Sequence, residues 1–145
     1  MKISMKSDYS LRAVLDLARF YGNGPIQSSD IASRQGIPEA YLEQLLTTLR
    51  KAGLIRSVRG PQGGHHLARA PESITVGDVI TALEGSVAPI ECVHEKGSCS
   101  RSGNCAQRDI WMEINAATRK ILDSTTIAAL LERQEAREPQ TMYYI

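Results

Sequence analysis

Apolar residues recur along this chain first with helical spacing, then with strand spacing, then with helical spacing again. Within "SDYSLRAVLDLARFYGNG", Leu11, Val14, Leu15 and Ala18 fall at i, i+3, i+4 and i+7. That is the stripe of an amphipathic helix, with Ser7 as its N-cap and "GNG" as its stop. "SSDIASRQG" offers a serine cap, a short apolar stretch and a terminating Gly36, which predicts a second helix of about two turns. "IPEAYLEQLLTTLRKAG" begins with Pro38 near its first helical position, sets Leu42, Leu45, Leu46 and Leu49 on one stripe, and closes at Gly53.

Two helices joined by a tight glycine-containing turn, the second with a narrow apolar stripe and a long polar face, are the pattern of a helix-turn-helix. Plain helix packing produces such pairs too. The next segment sharpens the choice, because "LIRSVRGPQGGHHLARA" has two short runs, 54–58 and 65–69, flanking a "RGPQGG" turn. This predicts a basic β-hairpin, the wing of a winged helix. A phosphate loop is rejected for "GPQGG", since no Lys-Ser/Thr follows and it joins no strand to a helix.

"ITVGDVITALEG" predicts a further short helix capped by Thr75. After "ECVHEKGSCSRSGNC", the segment "DIWMEINAATRKILDS" sets Ile110, Ile114, Ala117 and Ile121 at helical spacing, with Trp111 and Leu122 broadening the stripe. Such a stripe, following a three-helix core expected to be closed already, is more easily buried against a second chain than against its own, so a homodimer is expected. "TTIAALLERQEAR" predicts a short last helix, and "EPQTMYYI" is a tail without a predicted element. The expected fold is mostly α: a winged helix-turn-helix domain with a small β-hairpin wing (1–85), a cysteine loop (86–107), a long C-terminal dimerisation helix with the short final helix (108–137), and the tail (138–145).

Composition narrows the class. The 145 residues are 42% hydrophobic and 23% charged, as for one compact domain or a small one with an appended helix. Nothing near the roughly eighteen consecutive apolar residues of a membrane span occurs, and "MKISMKSDYS" lacks the apolar stretch of a secretory signal, so a cytoplasmic address is expected. The net charge of +1 conceals an asymmetry, since residues 1–70 carry ten Lys or Arg against five Asp or Glu and residues 71–145 carry seven against eleven. No acidic residue lies between Glu43 and Glu72, whereas Arg50, Lys51, Arg56, Arg59 and Arg69 do. A concentrated basic stretch in a near-neutral protein suits a polyanion, although a solvated surface run has the same composition.

On the third helix, Glu39, Ala40, Glu43, Gln44, Thr47 and Lys51 lie off the leucine stripe. Gln reads adenine edges, Thr contacts a thymine methyl or a phosphate, Glu accepts from cytosine N4, and Lys neutralises backbone charge. Phosphate repels a carboxylate on a DNA-facing helix, so Glu43 is expected to discriminate between sequences more than it adds affinity. Arg59 beside Gly60 and Pro61 forms a tip able to enter a minor groove. With Ser28 at the start of the second helix, the candidate DNA-binding set is Ser28, Glu43, Gln44, Thr47, Lys51, Arg59, Gly60 and Pro61.

All three cysteines of the chain, Cys92, Cys99 and Cys105, fall in one loop, separated by six and five residues. That spacing is wider than the short knuckles of structural zinc sites and lacks the C-x-x-C of thiol oxidoreductases. Pliable spans containing Gly97 and Gly103 let three thiolates converge on something larger than one ion, which points to an iron-sulfur cluster, 2Fe-2S or 4Fe-4S. A fourth ligand is then needed, with His94, Asp8 or a non-protein group as candidates. Zinc, a redox-switched disulfide and inert surface thiols remain alternatives on spacing alone.

These stretches together resemble the Rrf-two family of bacterial winged-helix regulators. The resemblance is carried by "MKIS" with "DYSLRAVLDLA", by "IPEAYLEQLLTTLRKAGLIRSVRGPQGGHHLAR", by "ITVGDVITALEG", by the three cysteines and by the long helix from Trp111. It covers nearly the whole chain apart from the tail. It implies a homodimer with crossed long helices, on a palindromic double-stranded DNA operator, with recognition helices in successive major grooves and wings in the minor groove. By position it makes Glu43 and Gln44 the base-contacting pair, Arg59 the minor-groove arginine, and Cys92, Cys99 and Cys105 the cluster ligands.

Two positions separate this chain from the family's iron-sulfur regulators. Where they have a histidine three residues after the third cysteine, this chain has Arg108, which cannot ligate. Asp8 stands where nitric-oxide sensors of the family supply a carboxylate from the other subunit. The sequence is therefore read as a regulator and not an enzyme: a repressor sensing nitric oxide, redox state or iron-sulfur status through its cluster. The alternatives are a winged-helix regulator using its cysteines as a thiol switch or partner site, and a small metalloenzyme or redox protein. No group of acids and histidines near the thiols favours the last.

Overall fold

A computed structural model describes residues 2–139. The helices are α1 (Met5–Arg19), α2 (Ser28–Gln35), α3 (Glu39–Lys51), α4 (Val76–Glu84), the single turn α5 (Glu91–His94), α6 (Ala106–Ser124) and α7 (Ile127–Arg137). Strands β1 (Ile55–Val58) and β2 (Gly64–Leu67) pair antiparallel with Ile55 opposite Leu67 and Val58 opposite Gly64. The molecule is thus a winged helix-turn-helix, mostly helical, as the spacing predicts. The leucine stripe of α3 is buried in full, Leu42 and Leu49 at 0% exposure. With Leu17, Ile31, Ile55, Leu67, Ile74 and Ile80 it forms one core, and a 3.6-residue period can bury only one such face.

Two caps and one boundary differ from the sequence expectation. Ser4, not Ser7, caps α1 and accepts from the Ser7 N–H (3.4 Å), and Ser7 is fully buried. Gln27 holds the N-cap position of α2 without a side-chain bond, making Ser28 the first helical residue. Pro38 is the N-cap residue of α3, beside its first helical position as expected. The reason at α2 is a strand contact with no sequence period: Ile26 pairs with His65 through both backbone bonds (2.9 and 2.7 Å), which holds the chain extended into Gln27. The same pairing starts the second wing strand at Gly64, where a Cβ would lie 2.4 Å from the Ile26 carbonyl oxygen. Thr75 caps α4 as predicted, in a reciprocal capping box with Asp78.

The core reaches beyond residues 1–85. Ile127, from the last helix, is 0% exposed inside it, with Leu130 and Leu131 packed alongside. The return is stitched by Val76 N–H to Thr125 O and Ile127 N–H to Ile74 O, each 2.8 Å. Helix α6 begins at Ala106, two residues before the expected boundary, and has no fully buried residue, Leu122 packing half-buried against the core. Of the tail 138–145, residues 140–145 lie outside the described residues, and Glu138 takes an ion pair from Arg19 (2.5 Å).

Two polar knots orient the helices. Buried Asp16 accepts from Arg34 Nη2 and Nε (2.8 and 2.9 Å) and from Gln35 (3.0 Å), fixing α2 against α1. At the other end, Glu84 accepts from the Ser4 N–H (2.8 Å), the Ser4 hydroxyl (2.5 Å) and the Ser7 hydroxyl (2.7 Å). The two hydroxyls and then the Ser4 N–H hold the Glu84 carboxyl below its ordinary value of 4.5. A depressed carboxyl stabilises the fold above its unfolded pKa, and that contribution disappears as pH falls through the folded value. Glu84→Gln is therefore expected to lower stability at pH 7 by about 1 kcal/mol, this group being only partly buried. Thermal melts of both proteins should converge as pH drops below 4.5; a gap independent of pH counts against the charge.

Candidate nucleic-acid interface and cysteine loop

Burying the leucines of α3 leaves Glu43, Gln44 and Lys51 exposed and Thr47 half-buried. The Ser28 hydroxyl donates to the Glu43 carboxylate, so the structure brings together two of the predicted residues from separate helices. Thr47 donates its hydroxyl to the Glu43 carbonyl (2.9 Å), which leaves its methyl as the outward chemistry. Arg59, Gly60 and Pro61 stand exposed at the wing tip, apart from the helical group. Gly60 takes φ +108°, and a Cβ on neighbouring Gly63 would lie 2.1 Å from the Val58 carbonyl oxygen, so the tip is closed by glycine.

A hydrogen-bonded chain that sequence reasoning missed joins α3 to the wing. Arg50 donates to the Ser57 hydroxyl (3.4 Å), which bonds His65 Nδ1 (2.9 Å), while Gln27 Nε2 donates to the Pro61 carbonyl (3.5 Å). Gln27, Arg50, Ser57 and His65, with Ser28, Ser29 and Glu39, line a cleft of about 330 Å³ between the start of α2, α3 and the hairpin. Burial lowers the His65 pKa; Glu43 opposes the shift, and Arg50 and His66 reinforce it. The strand register, which sets Ser57 opposite His65, was the one signal that would have found this chain. Of the five cations in the acid-free stretch, only Arg69 is ion-paired among the described residues, to Asp78 at 3.3 Å. The other four offer uncompensated charge around α3 and the wing.

The cysteine loop runs between α4 and α6. Cys92 sits in α5, Cys99 is exposed in the turns that follow, and Cys105 is the N-cap residue of α6. All three are free thiols. Helix α5 packs on α6, and Arg108 ties the two outer cysteines together: its N–H donates to Cys105 O (3.2 Å) and its guanidinium to Cys92 O (3.4 Å). Three soft thiols on one loop suit an iron-sulfur cluster in kind. They are not gathered beforehand, because no three Cys, His, Asp or Glu side chains among the described residues converge as ion ligands. His94 turns to a cavity of about 370 Å³ lined also by Thr81, Asn115 and Arg119, without any of the cysteines. Asp8 lies in the first turn of α1, paired with Arg12 at 2.9 Å, its side chain 46% exposed.

Residues 3–133 match the Rrf2 family, described as an iron-dependent transcriptional regulator. Across the full length of both chains, this protein is 39% identical to the HTH-type transcriptional regulator CymR of Bacillus subtilis (strain 168). The solved structure of CymR, titled the global cysteine regulator of B. subtilis, superposes with a TM-score of 0.78 at 38% identity, covering 92% of this chain and 98% of that one. A solved structure of T. potens IscR superposes with a TM-score of 0.77 at 42% identity, covering 99% and 97%. The winged-helix geometry and near-complete sequence coverage agree: the chain belongs to the Rrf2 family of transcriptional regulators.

Proposed function

We propose that this protein is a dimeric, DNA-binding repressor, working in the cytoplasm, whose cysteine loop carries an iron-sulfur cluster. The observation that carries the DNA reading is the recognition helix and wing sharing a stretch with four unpaired cations and no acid between Glu43 and Glu72. Glu43 and Gln44 read base edges, with Ser28 holding the Glu43 carboxylate. Thr47 and Lys51 contact the backbone or a thymine methyl, and Arg59, carried by Gly60 and Pro61, enters the minor groove of a palindromic operator. The apolar stripe of α6 meets its copy in the dimer.

Cys92, Cys99 and Cys105 would hold the cluster, with Asp8 of the partner subunit as the fourth ligand. Once bound, a cluster supplies a group that reacts with nitric oxide and oxygen and depends on iron supply. A second reading is favoured by the ungathered thiols: a cluster-free regulator in which the cysteines act as a thiol switch. The likeness to a cysteine regulator supports it too.

Anaerobic purification, iron and sulfide assay, and footprinting during nitric oxide and oxygen titration test the first reading against the second. Iron with sulfide, lost together with a change in operator affinity, is expected. An iron-free protein that still answers oxidants establishes the thiol switch instead. On the DNA side, Arg59→Ala should weaken binding about tenfold and Glu43→Ala should relax base preference. Unchanged affinity and preference in both variants would overturn the docking.

A further inference from the structure

Arg108 stands in the first turn of α6, three residues after Cys105, where the helix dipole disfavours a cation. Cys105 gives that end no side-chain cap. The guanidinium has only neutral partners, the Cys92 carbonyl (3.4 Å) and the weakly accepting Met112 sulfur (3.0 Å). Its Nε is sealed from solvent and has no acceptor among the described residues. Although Glu91, Glu95 and Asp109 are close in sequence, no carboxylate among the described residues reaches it within ion-pair distance. An enclosed guanidinium N–H without an acceptor is costly, and so is a half-buried cation without a counter-charge. Both deficits are removed by an anion arriving at the one chemistry around it, the thiol loop.

We propose that Arg108 makes the cysteine loop an anion site, its guanidinium serving as counter-cation and hydrogen-bond donor to the negatively charged group carried by Cys92 and Cys105. In the cluster reading, on which this inference builds, that group is the cluster. The residue that cannot ligate instead donates: its fork reaches one cysteine's carbonyl while its own N–H holds the other's. Hydrogen bonds and positive charge at cluster sulfurs favour the reduced, more negative form. Arg108 is thus a positioning and tuning residue.

The test needs no cluster in its first arm. In metal-free protein, Cys92 and Cys105 are labelled with the dianionic reagent dithiobis(nitrobenzoate) and with neutral iodoacetamide, and the rates are compared site by site by mass spectrometry. Both reagents need thiolate, so their ratio reports the attraction of an anion to the loop. Arg108→Gln is expected to lower the ratio about fivefold, and Arg108→Lys to retain much of it. The wild-type ratio should also fall as salt rises to 1 M. Equal ratios in all three proteins overturn the proposal; should Arg108→Gln fail to fold, a salt-independent wild-type ratio does the same.

The second arm reconstitutes each protein anaerobically with ferrous iron and sulfide and measures the midpoint potential. Arg108→Gln should be more negative than wild type. A lowered ratio in a protein that takes up no iron sustains the anion site and refutes the cluster. Normal iron uptake with an unchanged ratio and potential refutes the anion site and leaves the cluster standing.

Discussion

Lysine at both Ile114 and Ile121 is expected to leave the chain folded but monomeric, and at least about a hundredfold weaker on its operator. The two isoleucines are 40% and 66% exposed, with Ile110 at 52% on the same stripe, on a helix without a fully buried residue. Removing apolar surface from water contributes about 1.5–3 kcal/mol for each side chain fully buried, and each substitution acts twice in a symmetric interface. Facing lysines add like-charge repulsion.

The fold itself should survive, because these positions contribute nothing to the buried core. A palindrome read by two linked wings loses its effective concentration once the copies separate. Light scattering would report the mass, and a gel shift on a duplex selected from a random pool by the wild-type protein would report affinity. A variant that is monomeric yet binds undiminished removes the crossed-helix dimer from the DNA-binding account; one that stays dimeric places the interface elsewhere.

What the sequence made legible follows a physical division. Leu42, Leu45, Leu46 and Leu49 were readable because burial of one helix face imposes a period, and Thr75 was readable because a capping box is local. Ser7 was misread as the cap of α1, and a serine was expected to cap α2, because both cap positions are set by partners remote in sequence. Glu84, 80 residues from Ser4, settles the first, and the single Ile26 to His65 pairing settles the second.

The chain from Arg50 through Ser57 to His65 depends on strand register, which no composition shows. In the cysteine loop, the number and softness of the donors were legible, but glycine-containing turns carry no period from which their arrangement could be derived. Arg108 is the sharpest instance. As a letter it was a missing ligand; the structure shows its guanidinium donating to the Cys92 carbonyl, with Nε unpartnered among the described residues.

The fragment 1–85 should fail to fold as a stable winged helix, although the sequence reads as if the domain ended there. Ile127 is a fully buried member of the core, and Leu130 and Leu131 lean on it from the same helix. Deleting α7 uncovers the apolar surfaces of α1 and of the Pro71–Ser73 turn on which it packs, and it orphans the Ile74 carbonyl. Ile127→Ala isolates the packing part of this: a buried Ile-to-Ala change costs about 2–5 kcal/mol, more where neighbours cannot collapse into the space. Helix α7 meets both α1 and the turn, and the Ile127 backbone pairs with Ile74 beside that turn.

Because typical domain stability is about 5–15 kcal/mol, the substitution should remove a large fraction of it, visible as a lower urea midpoint with an unchanged slope. Operator affinity of the still-folded fraction should be retained, since the DNA-facing residues of α3 and the wing are exposed whereas Ile127 is buried in the core. An isolated 1–85 fragment with a cooperative melt matching the full chain would show that the last helix is an appendage. In that case α6 and α7 would serve dimerisation alone, and the buried position of Ile127 would have to be explained by the dimer.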